Sequence, residues 1–313
     1  MARSPVLIIA EKELSDAVRS KRLWALMAVL LMLYGMMVFV LGFGRVQVTV
    51  GEKGEVRQAM TIDPLTQILL GLSASIGFVA PLVGLALGYD AISGEREKGT
   101  IRLLLARPIF RDQVINGKAL GALATIALAL GLSTLILVGL SSALLGATLD
   151  LDLVCRVTLY VLLAILLSFV YYSLSLLVSA LTRRASRSLM ISLLLWMVFT
   201  FVIPLVGFLV ATAVVGPMPP PENEEAYMEW VKKVADISST INAVTPNTHF
   251  SEVADKLLTA RTTVKEFAER IEAIPETVAD VLFHGWVNIA ALVLYTAIPY
   301  AISYAVFTAS ERE

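Results

Sequence analysis

Asp90-Ala91-Ile92-Ser93-Gly94-Glu95-Arg96-Glu97-Lys98-Gly99-Thr100-Ile101-Arg102-Leu103-Leu104-Leu105-Ala106-Arg107-Pro108 is a charged island in an oily chain. Extended to Lys118, it carries Arg96, Lys98, Arg102, Arg107, Arg111 and Lys118 against Asp90, Glu95, Glu97 and Asp112. The stretch is too long for a plain turn between helices and too charged to lie in hydrocarbon. Thr100 is a good N-cap residue, and Ile101, Leu104, Leu105 and Pro108 recur at helical spacing. That pattern predicts a short amphipathic helix ending near Pro108, with a second helix starting after it and running through Lys118 into the next apolar run. A helix lying across a membrane surface between two spans can touch something outside the membrane. The plainer reading is a solvated basic loop that only fixes topology.

The rest of the chain supports a membrane setting. Its 313 residues are 57% hydrophobic and only 16% charged, with a mean hydropathy of +0.78. A soluble domain carries about a quarter charged residues. The fold class that follows is an all-α polytopic membrane protein forming a single transmembrane domain over residues 1–313. A net charge of -1 gives no reason to expect a nucleic-acid partner. The single cysteine, Cys155, excludes an internal disulfide, and with His249 and His284 as the two histidines no metal site is expected. His249 reads as a surface histidine beside a helix start, ahead of a metal or substrate contact. No cleavable signal peptide is evident.

Six spans are expected, at about 23–43, 65–89, 119–149, 157–181, 189–215 and 286–309, the third tilted or broken near Gly139. Pro204 and Pro299 predict kinks in the fifth and sixth. Before the first, residues 4–22 mix apolar and charged positions at helical spacing. They read as an interfacial helix, with Leu7, Leu14 and Val18 toward lipid and Lys12, Arg19, Lys21 and Arg22 among phosphates. Arg183, Arg184 and Arg187 crowd one short loop, while the turn holding Asp150 and Asp152 has no Lys or Arg. The positive-inside rule then places both termini in the cytoplasm; the expected location is the plasma membrane. Residues 216–285 form an extracytoplasmic insertion, opened by Pro217, Pro219, Pro220 and Pro221. It reads as two helices, from Glu222 to about Ile241 and from Ser251 to Ile274, capping the membrane part.

None of the six runs contains Asp, Glu, Lys or Arg. Ion-coupled carriers keep ionisable groups at membrane depth, so energy is expected to come from outside the chain. Ser168, Tyr172, Ser175 and Ser179 share one side of the fourth span. They could line a pathway, face a second copy, or simply pack with their hydroxyls bonded to backbone. Gly84-x-x-x-Gly88 and Gly117-x-x-x-Gly121 are small-residue packing motifs. Gly117-Lys118 is not a phosphate-binding loop, because Asp112 and Ala119 stand where Gly and Ser or Thr are needed.

Gly94-Glu95-Arg96-Glu97-Lys98-Gly99-Thr100, Leu103-Leu104, Pro108, Arg111 and Gly117-Lys118 together resemble the first cytoplasmic loop of ABC-2 type permeases. The likeness extends to the amphipathic start, the six-span layout and Thr245-Pro246 through Phe250. Within the family, the layout looks closest to permeases of the copper-site maturation type. The resemblance implies a permease subunit of an ATP-driven exporter with an unidentified substrate. It would have no ATP site of its own, so ATP and Mg would belong to a partner ATPase subunit. The loop would be the coupling helix, with Glu95, Glu97, Gly99, Thr100, Ile101, Leu104, Leu105 and Arg111 as the ATPase-coupling residues. Further partners would be a second copy or a similar permease chain, the lipid bilayer, and an extracytoplasmic cargo protein. The competing classes are an ion-coupled secondary transporter and, less well supported, an intramembrane enzyme. The first lacks charged spans, and the second lacks any Ser/His, Asp/Asp or His-rich pair at membrane depth.

Overall fold

The computed structural model describes residues 4–43, 64–99, 110–145, 150–220, 223–259 and 277–309. Among them there is no strand. The predicted helix from Thr100 to Pro108, and with it Thr100, Ile101, Leu104 and Leu105, lies outside the described residues.

The helices follow the apolar runs. α1 (Pro5–Arg19) has Pro5 in its first turn, where a missing N–H costs nothing, and ends at the extended backbone of Ser20. α2 (Lys21–Phe43) follows at once. α3 (Pro64–Gly88) holds Pro81 inside it. α4 (Ser93–Glu97) is a single short turn closed by Gly99 at φ +69°, a left-handed position that favours glycine. α5 (Arg111–Leu145) is unbroken through Gly139. α6 (Leu151–Leu181) is capped by Asp150, whose carboxylate accepts from the Leu153 N–H at 3.0 Å.

α7 (Ala185–Met197) passes through a π-helical turn at Val198–Val202 into α8 (Ile203–Val215). Pro204 accounts for the irregularity that its sequence position predicts. It offers no N–H, and its ring crowds the carbonyl one turn back, so the ladder widens locally. α8 ends at Gly216, again with positive φ. α9 (Glu224–Asn242) is capped by Asn223, and α10 (Pro246–Thr259) by Thr245, with Pro246 in its first turn. α11 (Val278–Ala309) starts with a capping box: the Asp280 N–H donates to Thr277 Oγ1, and the Thr277 N–H donates to the Asp280 carboxylate. It carries Pro299 in its interior.

Among the described residues, five stretches are long and apolar enough to cross a membrane: Gly71–Glu97, Arg111–Leu140, Leu151–Leu181, Ala185–Val215 and Val278–Ala309. The chain is therefore a multi-pass membrane protein. α6 is its axis, with α3 and α11 as its main neighbours and α5, α7 and α10 completing the ring. Tyr160, Ala164, Leu167, Tyr172 and Leu176 of α6 are fully enclosed.

α9 and α10 are not a detached cap. α9 runs back along α8, where Trp230 Nε1 donates to the Gly216 carbonyl at 2.9 Å and Asn242 reaches Gly207. The turn into α10 then meets the π-helical turn that follows α7, at Thr200. There Asn247 donates to Thr200 Oγ1 at 3.1 Å and accepts from the Tyr171 hydroxyl at 2.8 Å. α10 returns between α3, α6 and α11, burying Phe250, Val253, Ala254, Leu257 and Leu258. It begins at Pro246, five residues before the expected Ser251, because Thr245-Pro246 is a cap followed by a helix-starting proline.

Candidate functional site

The charged island becomes a junction. α4 follows the end of α3, and three consecutive side chains on it reach three different places. Glu95 accepts from Lys118 Nζ of α5 at 2.7 Å. Arg96 Nη1 donates to the Ala180 carbonyl at 2.6 Å, one of the carbonyls left open at the end of α6. Glu97 accepts from the Ala185 N–H at 3.0 Å and so caps the start of α7. Ser179, on the last turn of α6, closes the junction from below. Its Oγ accepts from the Ile92 and Ser93 N–H groups at 3.1 and 2.9 Å and donates to Ser93 Oγ.

Lys118 is the electrostatic centre. Its side chain is 6% exposed, and its ammonium bridges Glu95 at 2.7 Å and Glu13 of α1 at 2.9 Å. A buried ammonium needs such partners to offset its lost hydration. Burial works to raise the Glu13 carboxyl, but Lys118 and Lys12 beside it together outweigh that and hold it below the usual carboxylate range. Close packing brings α1 within reach: a Cβ on Gly117 would lie 2.7 Å from Ile9 Cβ, and one on Gly121 would lie 2.9 Å from the Ala10 carbonyl oxygen. The Gly117-x-x-x-Gly121 motif therefore seats the amphipathic helix on α5. Nearby, Arg22 Nη1 pairs with Asp90 at 2.7 Å while its guanidinium lies over the Tyr89 ring.

Of the residues singled out for coupling, Glu95, Glu97 and Gly99 sit in this junction. The two carboxylates have partners inside the chain. Arg111 lies at the start of α5, its Nη1 donating to the Thr308 carbonyl of α11 at 3.4 Å. Thr100, Ile101, Leu104 and Leu105 lie outside the described residues.

Ser168, Tyr172, Ser175 and Ser179 do share one face, and it meets α3. A Cβ on Gly84 would fall 1.8 Å from the Ser168 carbonyl oxygen, and one on Gly88 would fall 2.0 Å from Ser175 Oγ. Ser175 Oγ bonds to the Tyr172 carbonyl. Ser168 Oγ and the Tyr172 hydroxyl have no hydrogen-bond partner among the described residues. His249 is a clamp between helices, its ring nitrogens 2.8 Å from Asn288 Oδ1 and 2.9 Å from the Ala243 carbonyl.

Sequence reasoning did not reach Arg96, Lys118 and Glu13 as a set. Lys118 was the available signal, a lone cation between Val114, Ile115 and Ala119 that needs a carboxylate on another helix.

Residues 7–312 match the family model described as ABC-2 family transporter protein. A probable ABC transporter permease protein NosY of Pseudomonas aeruginosa is 38% identical over 141 residues, 45% of each chain. The protein of the same description from Stutzerimonas stutzeri is 31% identical over 204 residues, 63% of this chain and 67% of that one. The chain thus spans under half the length of the first relative and two thirds of the second.

Proposed function

Because the chain belongs to the ABC-2 family of transporter proteins, and so is the membrane subunit of an ABC transporter, we propose that it couples ATP hydrolysis by a separate subunit to export of a substrate. The observation that carries the reading is the α4 junction. A permease without its own nucleotide site can respond to ATP only through a surface contact and a stiff connection behind it. Residues 100–109 would supply the contact, with Ile101, Leu104 and Leu105 filling a groove of the ATPase. Glu95, Arg96 and Glu97 supply the connection, bonding to α5, α6 and α7 from one short helix. Displacement of α4 then acts on three helices, and through Lys118 on α1.

In this reading α2 is a sixth span, the α4 end of the bundle with both termini is cytoplasmic in the plasma membrane, and α9–α10 lie toward the outside. Two copies, or one copy and a similar chain, assemble with two ATPase subunits that hold ATP and Mg. An extracytoplasmic cargo protein is a further partner. The buried cations Lys118 and Arg156 are both paired with carboxylates, which favours structure over ion coupling.

The test is co-purification. The wild-type chain should bring down an ATP-hydrolysing partner, and Leu104→Asp should release it, because burying a leucine contributes about 1.5–3 kcal/mol that a carboxylate forfeits. If Leu104→Asp retains the partner and its activity at wild-type levels, residues 100–109 are not the contact.

A further inference from the structure

A half-open cavity of about 370 Å³ lies beside the junction, lined by α1, α2, α3, α4 and α5, with Tyr172 of α6 among its lining residues. We propose that it holds the phosphate headgroup of a membrane phospholipid, with the first methylenes of one chain lying along α2 and α3. The lining is divided. Leu23, Leu26, Val83 and Leu87 form an apolar side, while Lys12, Arg22 and Lys98 are cations on the polar side. On water's share of liquid volume, about 30 Å³, the space holds roughly a dozen small groups. That suits a headgroup and the start of a chain, but not a whole lipid.

The chemistry selects the ligand. The carboxylates lining the cavity are already engaged: Glu13 and Glu95 by Lys118, Asp90 by Arg22, and Asp16 by Lys12. Donors remain. Lys98 is exposed on the short turn after α4, and the Arg22 guanidinium has N–H groups beyond the one given to Asp90. Tyr172 of α6 lines the cavity, and its buried hydroxyl has no hydrogen-bond partner among the described residues. An orphaned buried hydroxyl is costly unless a ligand or water completes it. Donors above an apolar wall, at the level of an amphipathic helix, match an anionic lipid better than a soluble metabolite. The inference does not require an ATPase partner.

The test is native mass spectrometry of the full chain in detergent, titrated with dioctanoyl phosphatidylglycerol, dioctanoylglycerol or inorganic phosphate. The expected result is one saturable phospholipid per chain, with at least tenfold weaker binding of the diacylglycerol. Lys98→Glu, on an exposed turn, should weaken the phospholipid about tenfold or more, and Ala86→Phe, which fills the apolar side, should abolish its binding. Circular dichroism with wild-type helix content shows that each variant folds. Equal phospholipid binding by wild type and both folded variants would overturn the site. So would diacylglycerol binding as tightly as phospholipid, or inorganic phosphate binding where the lipid does not.

Discussion

Replacing Lys118 by Met removes the charge that joins α1, α4 and α5 while nearly preserving side-chain volume. The loss removes the cation that Glu13 and Glu95, 27% and 17% exposed, share, and leaves Glu13 beside the exposed Lys12 at 3.3 Å. Breaking a fully buried pair from one side costs about 3–5 kcal/mol. Partial solvent access to both carboxylates lowers the expectation here to about 2–4 kcal/mol. On the scale for soluble domains, this is a loss of roughly 5–10 °C in thermal midpoint. Removing all three charges, as Lys118→Met with Glu13→Gln and Glu95→Gln, should recover most of it, since a neutral replacement of a whole ion cluster is often tolerated.

The pH dependence has a defined sign. In the wild type the Glu13 carboxyl is held low, so its contribution is present above its unfolded value, about 4.3, and is lost as pH falls through the lowered folded value. In Lys118→Met the two carboxylates repel, so that variant's deficit should shrink as pH falls toward 5. The assay is thermal unfolding of the detergent-solubilised chain followed by size exclusion, at pH 5 and pH 7.5. If the single variant is as stable as both the wild type and the triple variant at pH 7.5, the cluster does not hold α1 to the bundle.

Gly84→Leu should prevent α3 from seating on α6, because even a Cβ there meets the Ser168 carbonyl at 1.8 Å; loss of a monodisperse peak on size exclusion is the readout. Glu97→Ala should cost about 1 kcal/mol, as for the loss of an N-cap, measurable as a small drop in thermal midpoint. A cysteine replacing Glu229, exposed on α9, in a Cys155→Ser background should react with an impermeant thiol reagent on intact cells; labelling only after lysis would reverse the orientation.

The long apolar runs made five of the expected spans legible, because twenty or so uncharged residues have few alternatives to a membrane helix. α9 was legible too, since the proline run before Glu222 marks where it can start; the structure begins it at Glu224. The fold-back of α10 was not. Its buried Phe250, Val253, Ala254 and Leu257 repeat at helical spacing, yet Asn247, Thr248 and His249 gave it the look of a solvent-facing cap. Asn247 and His249 are instead satisfied by Tyr171, Thr200, Asn288 and the Ala243 carbonyl, and Thr248 bonds to Thr245. The junction failed to show for the same reason. Glu95, Arg96 and Glu97 read as one charged run, and only tertiary structure sends them to three separate helices. The glycine motifs were visible as packing signals, but not that Gly117 and Gly121 receive α1 and not another span.

The claim that α4 is the stiff connection is tested most directly by ATP hydrolysis in the assembled complex in lipid. The comparison is between partner ATPase alone, partner with wild-type chain, and partner with the Arg96→Ala/Glu97→Ala chain. The wild-type chain should change the partner's rate. The double variant, with residues 100–109 intact, should still co-purify with the partner but leave its rate at the partner-alone value. A double variant that alters hydrolysis as fully as the wild type would contradict the account.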